Sequence, residues 1–224
     1  MAIEYRKSAA TPVSPNPVSP NPVSLSKVTL TKATPTVSLT KQGATTGMLR
    51  VNLNWNPGGG GGRFRRSPAI DLDLGCLYEF TDGRKGVVQA LGNSFSASPT
   101  GVGASVIRLD GDDRSGTNSD GENLFIDLAY TGSIRRILVF AFIYEGVPNW
   151  AAADGVVTLF PVSGPQIEVR LDDARNGARI CGVAMLESNG TDLSVRREVN
   201  YVNGGQSALD RAYGWGLSWT PGRK

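Results

Sequence analysis

The sequence predicts an all-β fold, a two-sheet β-sandwich of about ten short strands behind an unstructured, Pro-rich N-terminal tail. Three observations carry this. The 224 residues include 28 Gly and 13 Pro, which favour turns and short strands over long helices. After Gly43, runs rich in β-branched and aromatic side chains are separated at fairly regular intervals by Gly, Pro, Asn or Asp. Within the runs, alternation such as Leu49, Val51, Leu53, Trp55 buries one face of a strand in a core.

Taken in order, the stretch from Thr11 to Ser24 repeats Pro-Val-Ser-Pro-Asn. Pro12, Pro15, Pro17, Pro20 and Pro22 remove amide donors and fix φ, so this stretch cannot enter a sheet. It reads as a semi-rigid polyproline-like spacer, or alternatively as a ligand for an aromatic groove. The expected division is a basic tail over residues 1–36 and a sandwich domain over 37–224. The Val/Leu/Thr/Lys alternation of Ser24 to Leu30 and of Thr36 to Lys41 also suits edge strands, whose lysines discourage edge pairing.

Strands are then expected near Met48 to Asn56, Ile70 to Phe80, Lys85 to Ala90, Ser105 to Leu109, Asn123 to Leu128, Ile134 to Tyr144, Gly155 to Phe160, Gln166 to Leu171, Ala178 to Glu187 and Leu193 to Val199. The run Ile137 to Tyr144 is apolar on both faces and should be a central strand. A short helix is expected from Ser207 to Tyr213, ahead of the Trp215 to Trp219 ending.

Composition removes whole classes of chemistry. With no histidine, Ser-His-Asp and Cys-His nucleophilic catalysis, His-ligated zinc and proximal-His haem are all excluded. Cys76 and Cys181 do not make a disulfide scaffold, and both sit in apolar strands as small core hydrophobes. The longest apolar run is far short of the ~20 residues that span a bilayer, and no secretory signal opens the chain, so a cytoplasmic location is expected.

Charge is uneven. Residues 1–66 hold nine Lys or Arg against Glu4 alone, which is +8, and since the total is +3 the remainder carries −5. The leading segment, rather than the domain, is the expected handle for an acidic or membrane-surface partner. Gly58 to Gly62 followed by Arg63-Phe64-Arg65-Arg66 lacks the Gly-Lys-Ser/Thr of a phosphate loop and reads as a flexible, solubilising loop, with Phe64 among the arginines as an alternative grip for nucleic acid, anionic lipid or an acidic partner. Trp150, Trp215 and Trp219 suit a sandwich core, with a sugar or peptide groove as the alternative.

Chemistry concentrates in two acidic segments. Asp110-Gly111-Asp112-Asp113-Arg114-Ser115-Gly116 continues to Asp120-Gly121-Glu122 between two expected strands. A solvated acidic loop is the bland account, but Gly111, Gly116 and Gly121 permit the left-handed turns that fold such a loop back on itself. Carboxylates brought together in this way repel unless a cation compensates them, and an all-oxygen donor set selects a hard ion such as calcium. The EF-hand pattern fails, since Arg114 and Gly121 fall where ligands belong. Asp71 and Asp73 are two residues apart on one strand, hence on one face and ~7 Å apart. Exposed, they would need no compensation; joined to the loop, they do.

Together these pieces resemble the TerD-domain family of tellurium-resistance and stress proteins. The matching segments are Val51-Asn52-Leu53-Asn54-Trp55, Asp71-Leu72-Asp73-Leu74 with Tyr78-Glu79-Phe80, Gly111-Asp112-Asp113-Arg114-Ser115-Gly116, and Asp120-Gly121-Glu122 ahead of Ile126-Asp127-Leu128. The Pro-rich head and the Gly-Trp-Gly-Leu-Ser-Trp-Thr-Pro-Gly-Arg-Lys ending look more like the TerA-like branch. The resemblance implies a calcium-binding sandwich that acts as a non-enzymatic interaction module with other proteins of a bacterial stress system. The family's acidic positions carry over onto Asp71, Asp73, Asp112, Asp113, Asp120 and Glu122; Asp110 is added from local reasoning. Two departures, Asp113 where the family usually has Asn and Gly121 within its Asp-Asp-Glu, leave the number of ions open. A lectin-like or other small-ligand sandwich, its loops merely shaped by calcium, is the alternative.

Overall fold

The computed structural model describes residues 27–56, 70–110, 121–146, 148–172 and 177–220. They build the expected sandwich. The first sheet runs, in spatial order, β1 (Lys27–Thr29), β11 (Gln166–Leu171), β10 (Gly155–Phe160), β3 (Met48–Asn54), β8 (Glu122–Asp127), β7 (Ile107–Leu109) and β6 (Ser96–Ala97). The second runs β2 (Thr36–Ser38), β13 (Leu193–Val202), β12 (Ile180–Ser188), β9 (Ile134–Glu145), β4 (Asp71–Phe80) and β5 (Lys85–Val88). The pairing is antiparallel, except that β1 runs parallel to β11.

The sandwich therefore starts ahead of the expected boundary at residue 37. Lys27, Val28 and Thr29 pair with Gln166, Ile167 and Glu168, and Leu30 is buried. The Lys27 ammonium donates to Glu168 at 2.8 Å, so this lysine pins the edge strand expected within Ser24 to Leu30. Two short elements went unpredicted: β6, and helix α1 (Trp150–Ala153), capped by the Asn149 side chain accepting from Ala152 N–H.

Alternation sorts β4 and β9 cleanly between two cores. Leu72, Leu74 and Cys76 of β4 and Ile137, Val139, Ala141 and Ile143 of β9 fill the space between the sheets. Leu77, Leu138 and Phe140 face the other way and meet Ile180, Met185, Leu209 and Trp215. That second cluster is why Ile137 to Tyr144 is apolar on both faces. Its lid is helix α2 (Gln206–Tyr213) with the segment that follows, and each large apolar side chain it buries contributes roughly 1.5–3 kcal/mol.

The lid is fastened by polar contacts. The buried Asp210 carboxylate accepts from Gly216 N–H, Leu217 N–H and the Trp219 indole N–H at 2.9, 2.8 and 2.9 Å. Arg136 lies 3.9 Å over the Trp215 ring while donating to Glu79 at 2.7 Å, and Lys85 donates to the Trp215 carbonyl. Trp150 and Trp215 are fully buried, with indole N–H groups donating to Ala178 O and Tyr78 O, which removes both from any open groove.

Candidate functional site

Two of the acidic residues, Asp73 and Glu122, are buried near the starts of β4 and β8. Gly121 (φ 69°) makes the approach possible: a Cβ there would stand 2.2 Å from the Leu53 carbonyl oxygen. Glu122, Leu124 and Ile126 are buried, alternating with half-buried Asn123, Phe125 and Asp127, so the first residue of β8 sends a carboxylate toward the core side. There Glu122 Oε2 accepts from the Leu74 N–H of β4 at 2.5 Å, bridging the two sheets. Asn52, also buried, supports the same corner by donating to Glu122 O at 3.4 Å and to Asn123 Oδ1 at 3.0 Å.

One residue before Leu74, Asp73 is 6% exposed and Glu122 itself only 4%. Asp73 thus does not lie on an exposed polar face. Asp71 is half-buried and differs from Asp73 in setting: it pairs with Glu145, and a register shift before Leu72 skips Tyr144. Glu122 of β8 thus takes a hydrogen bond from the residue next to buried Asp73 of β4, and each buried carboxylate is costly unless matched by charge and hydrogen bonds. That donor set is oxygen only, which suits a hard cation.

Asp110 takes a different orientation. Its backbone N–H donates to Asn123 O at 2.9 Å, and its carboxylate sits 4.0 Å from Arg108 with both side chains partly exposed. Arg108 and Asp110 flank buried Leu109, so by alternation they belong to the outer face of the first sheet, opposite Glu122. Asp112, Asp113 and Asp120 lie outside the described residues, as do the Gly58 to Gly62 run and its arginines. Among the described residues no group of three or more His, Cys, Asp or Glu side chains converges as a metal site.

The thiols take no part in this chemistry. Cys76 and Cys181 are free and buried, and burial pushes the Cys76 thiol up to about 12, against a smaller opposing pull from a Val88 backbone hydrogen bond. A thiol so placed stays protonated and unreactive at neutral pH. Sequence reasoning missed Asn52. Its only signal was that it sits in the Arg50, Asn52, Asn54 row, where alternation predicts solvent. Among the described residues no helix is long and apolar enough to cross a membrane.

Comparison with known proteins places the chain among relatives. No family model matches the chain. The curated tellurium resistance protein TerA of an Alcaligenes species is 46% identical over 195 residues, 85% of this chain. The match covers 56% of that relative, so the chain spans little more than half its length. Among solved structures, a homologue of the telluride resistance protein TerD from Streptomyces coelicolor superposes with a TM-score of 0.51. It covers 74% of this chain and 95% of its own at 21% identity, a likeness of fold.

Proposed function

Because this chain belongs to the TerD-domain family of tellurium-resistance proteins, we propose that it is a non-enzymatic, calcium-binding interaction module of a bacterial tellurite-resistance and stress-response system, working in the cytoplasm. The carrying observation is the buried carboxylate pair at the start of β4 and β8, where Glu122 spends one oxygen on Leu74 N–H beside buried Asp73.

Asp73 and Glu122 would hold the ion, with half-buried Asp71 at the rim and further oxygens from Asp112, Asp113 and Asp120. Calcium bound by these residues would supply the positive charge that offsets their repulsion. The chain's own contribution is to order β4 against β8, and through them the rim that a partner protein would meet. Supporting a binding rather than a catalytic role are the lack of histidine and a Cys76 thiol too basic to act as a nucleophile.

The test is calorimetric and thermal. Metal-stripped protein titrated with calcium should release heat, and its melting temperature should rise by several degrees with calcium and fall again with chelator, since a ligand bound only by the folded state stabilises it. Absence of both responses would remove calcium from the reading. Capture of a partner from a tellurite-stressed lysate, equal with and without calcium, would remove the calcium-dependent interaction.

A further inference from the structure

The outer face of the first sheet carries an ordered stripe. Strand register places Phe160 of β10 beside Arg50 of β3, Arg50 beside Phe125 of β8, and Phe125 beside Arg108 of β7. Each guanidinium carbon lies over a ring, Arg50 at 4.0 Å from the Phe160 centroid and Arg108 at 4.1 Å from that of Phe125. All four side chains are half-buried, and they alternate aromatic and cationic across four adjacent strands.

A second row lies two residues further along the same strands: Thr158, Asn52 and Asn123, paired in register. Asn123 Oδ1 accepts from both Arg50 and Asn52, at 3.1 and 3.0 Å, so the polar contact of Arg50 is to an uncharged amide. The second sheet has the same Arg-on-aromatic device in a structural form. There Arg136 over Trp215 is neutralised by Glu79, and the C-terminal segment covers the pair. On the first sheet, the described acidic partner of the stripe is Asp110, 4.0 Å from Arg108 in a partly exposed contact worth little.

From this juxtaposition we infer that the stripe is a platform for single-stranded nucleic acid, read through its bases and backbone charge rather than its sugar. Each element matches that ligand. Two rings on alternate strands stand roughly 10 Å apart, two strand spacings, and offer π-faces on which unpaired bases stack. Guanidinium planes extend those stacks and supply positive charge for phosphates. Half-buried Thr158 and Asn123 beside the stripe add hydroxyl and amide groups of the kind that hydrogen-bond base edges, with buried Asn52 holding Asn123 in place. A duplex keeps its bases stacked inside and cannot use half-buried rings. An acidic peptide would use the arginines but leave the rings idle, and a second copy would oppose arginine to arginine.

The test is fluorescence anisotropy with the full chain, in chelator, using labelled 12-mers of deoxythymidine and of uridine at about 50 mM salt. The chelator separates this result from the calcium reading. Both oligomers should bind with affinities within a few-fold of each other. The double variant Phe125→Leu, Phe160→Leu, which keeps charge constant, should weaken both by at least about tenfold, since stacking on each ring is worth about that much. Arg50→Gln should weaken binding and lower the slope of log affinity against log salt by about 1. Asn123→Asp, which still accepts from Arg50 and Asn52, should lose about tenfold by adding a negative charge to the face, and keeps the test decisive if the double variant melts early. Oligomer binding unchanged in all these variants would assign it to the basic leading segment and overturn the proposal. So would no binding, tighter binding of a poly-glutamate peptide that ignores the Phe substitutions, or self-association in sedimentation velocity that Phe125→Leu abolishes.

Discussion

The carboxylate of Asp210 and the indole N–H of Trp219, nine residues on, meet at 2.9 Å and close the C-terminal segment back over the second sheet. Burial alone would raise the Asp210 carboxyl, but donation from Trp219, Leu217 and Gly216 outweighs it and holds the group below its ordinary value. Asp210→Ala should cost about 3 kcal/mol, because three donors lose a charged acceptor under a buried ring cluster. For a chain of this size the melting temperature should fall on the order of 5–10 °C. A group depressed in the folded state stabilises above its unfolded value and loses that contribution as pH falls through the folded one. The Trp219 emission of the wild type should therefore shift below about pH 4, and that acid limb should be absent in Asp210→Asn.

Glu122 separates a structural from an ion-binding role. Glu122→Ala leaves the Leu74 N–H without its acceptor in a buried setting, a loss of about 1–3 kcal/mol with or without calcium. Glu122→Gln keeps an acceptor oxygen while removing the charge. It should melt close to wild type in chelator yet lose most of the calcium-induced rise. An equal calcium response in wild type and Glu122→Gln, read by differential scanning fluorimetry, would take Glu122 out of the ion site.

The contrast between these acids shows what alternation along a strand can and cannot reveal. Period two placed Leu72, Leu74 and Cys76 on the inter-sheet side, and the double-sided apolar run correctly made β9 a central strand. The helix at Gln206–Tyr213 was equally legible. Burial of Asp73 was not, because it depends on what packs over the outer side of the strand from elsewhere in the chain. Asp110 turned toward Arg108 rather than Glu122 for a similar reason: neighbours in sequence on either side of a hairpin can point to opposite faces. The Phe160, Arg50, Phe125, Arg108 stripe comes from four separate segments, and only strand register assembles it.

The buried thiol makes a kinetic prediction. With Cys76 pushed up to about 12, its thiolate fraction at pH 8 is about one in ten thousand, and the side chain is fully buried as well. Neither Cys76 nor Cys181, which is also fully buried, should react with a disulfide reagent in the native state at that pH, and both should react once guanidinium unfolds the chain. Rapid stoichiometric labelling of native protein would show that the strand opens far more readily than its packing implies.

Gly121 tests whether the corner is set by backbone rather than side chains. Its positive φ and the 2.2 Å approach to the Leu53 carbonyl act together, so Gly121→Ala meets both a left-handed strain of about 1 kcal/mol and a steric clash that forces β8 away from β3. Retreat of β8 would withdraw Glu122 from Leu74. The variant should lose more stability than the strain alone explains, and its calcium response should fall along with it. Gly83, whose φ is also positive but whose missing Cβ has open space around it, supplies the control: Gly83→Ala should cost only the strain and leave the calcium response intact. Equal losses in the two variants, measured by chemical denaturation, would mean that close approach at Gly121 has no part in positioning the acidic corner.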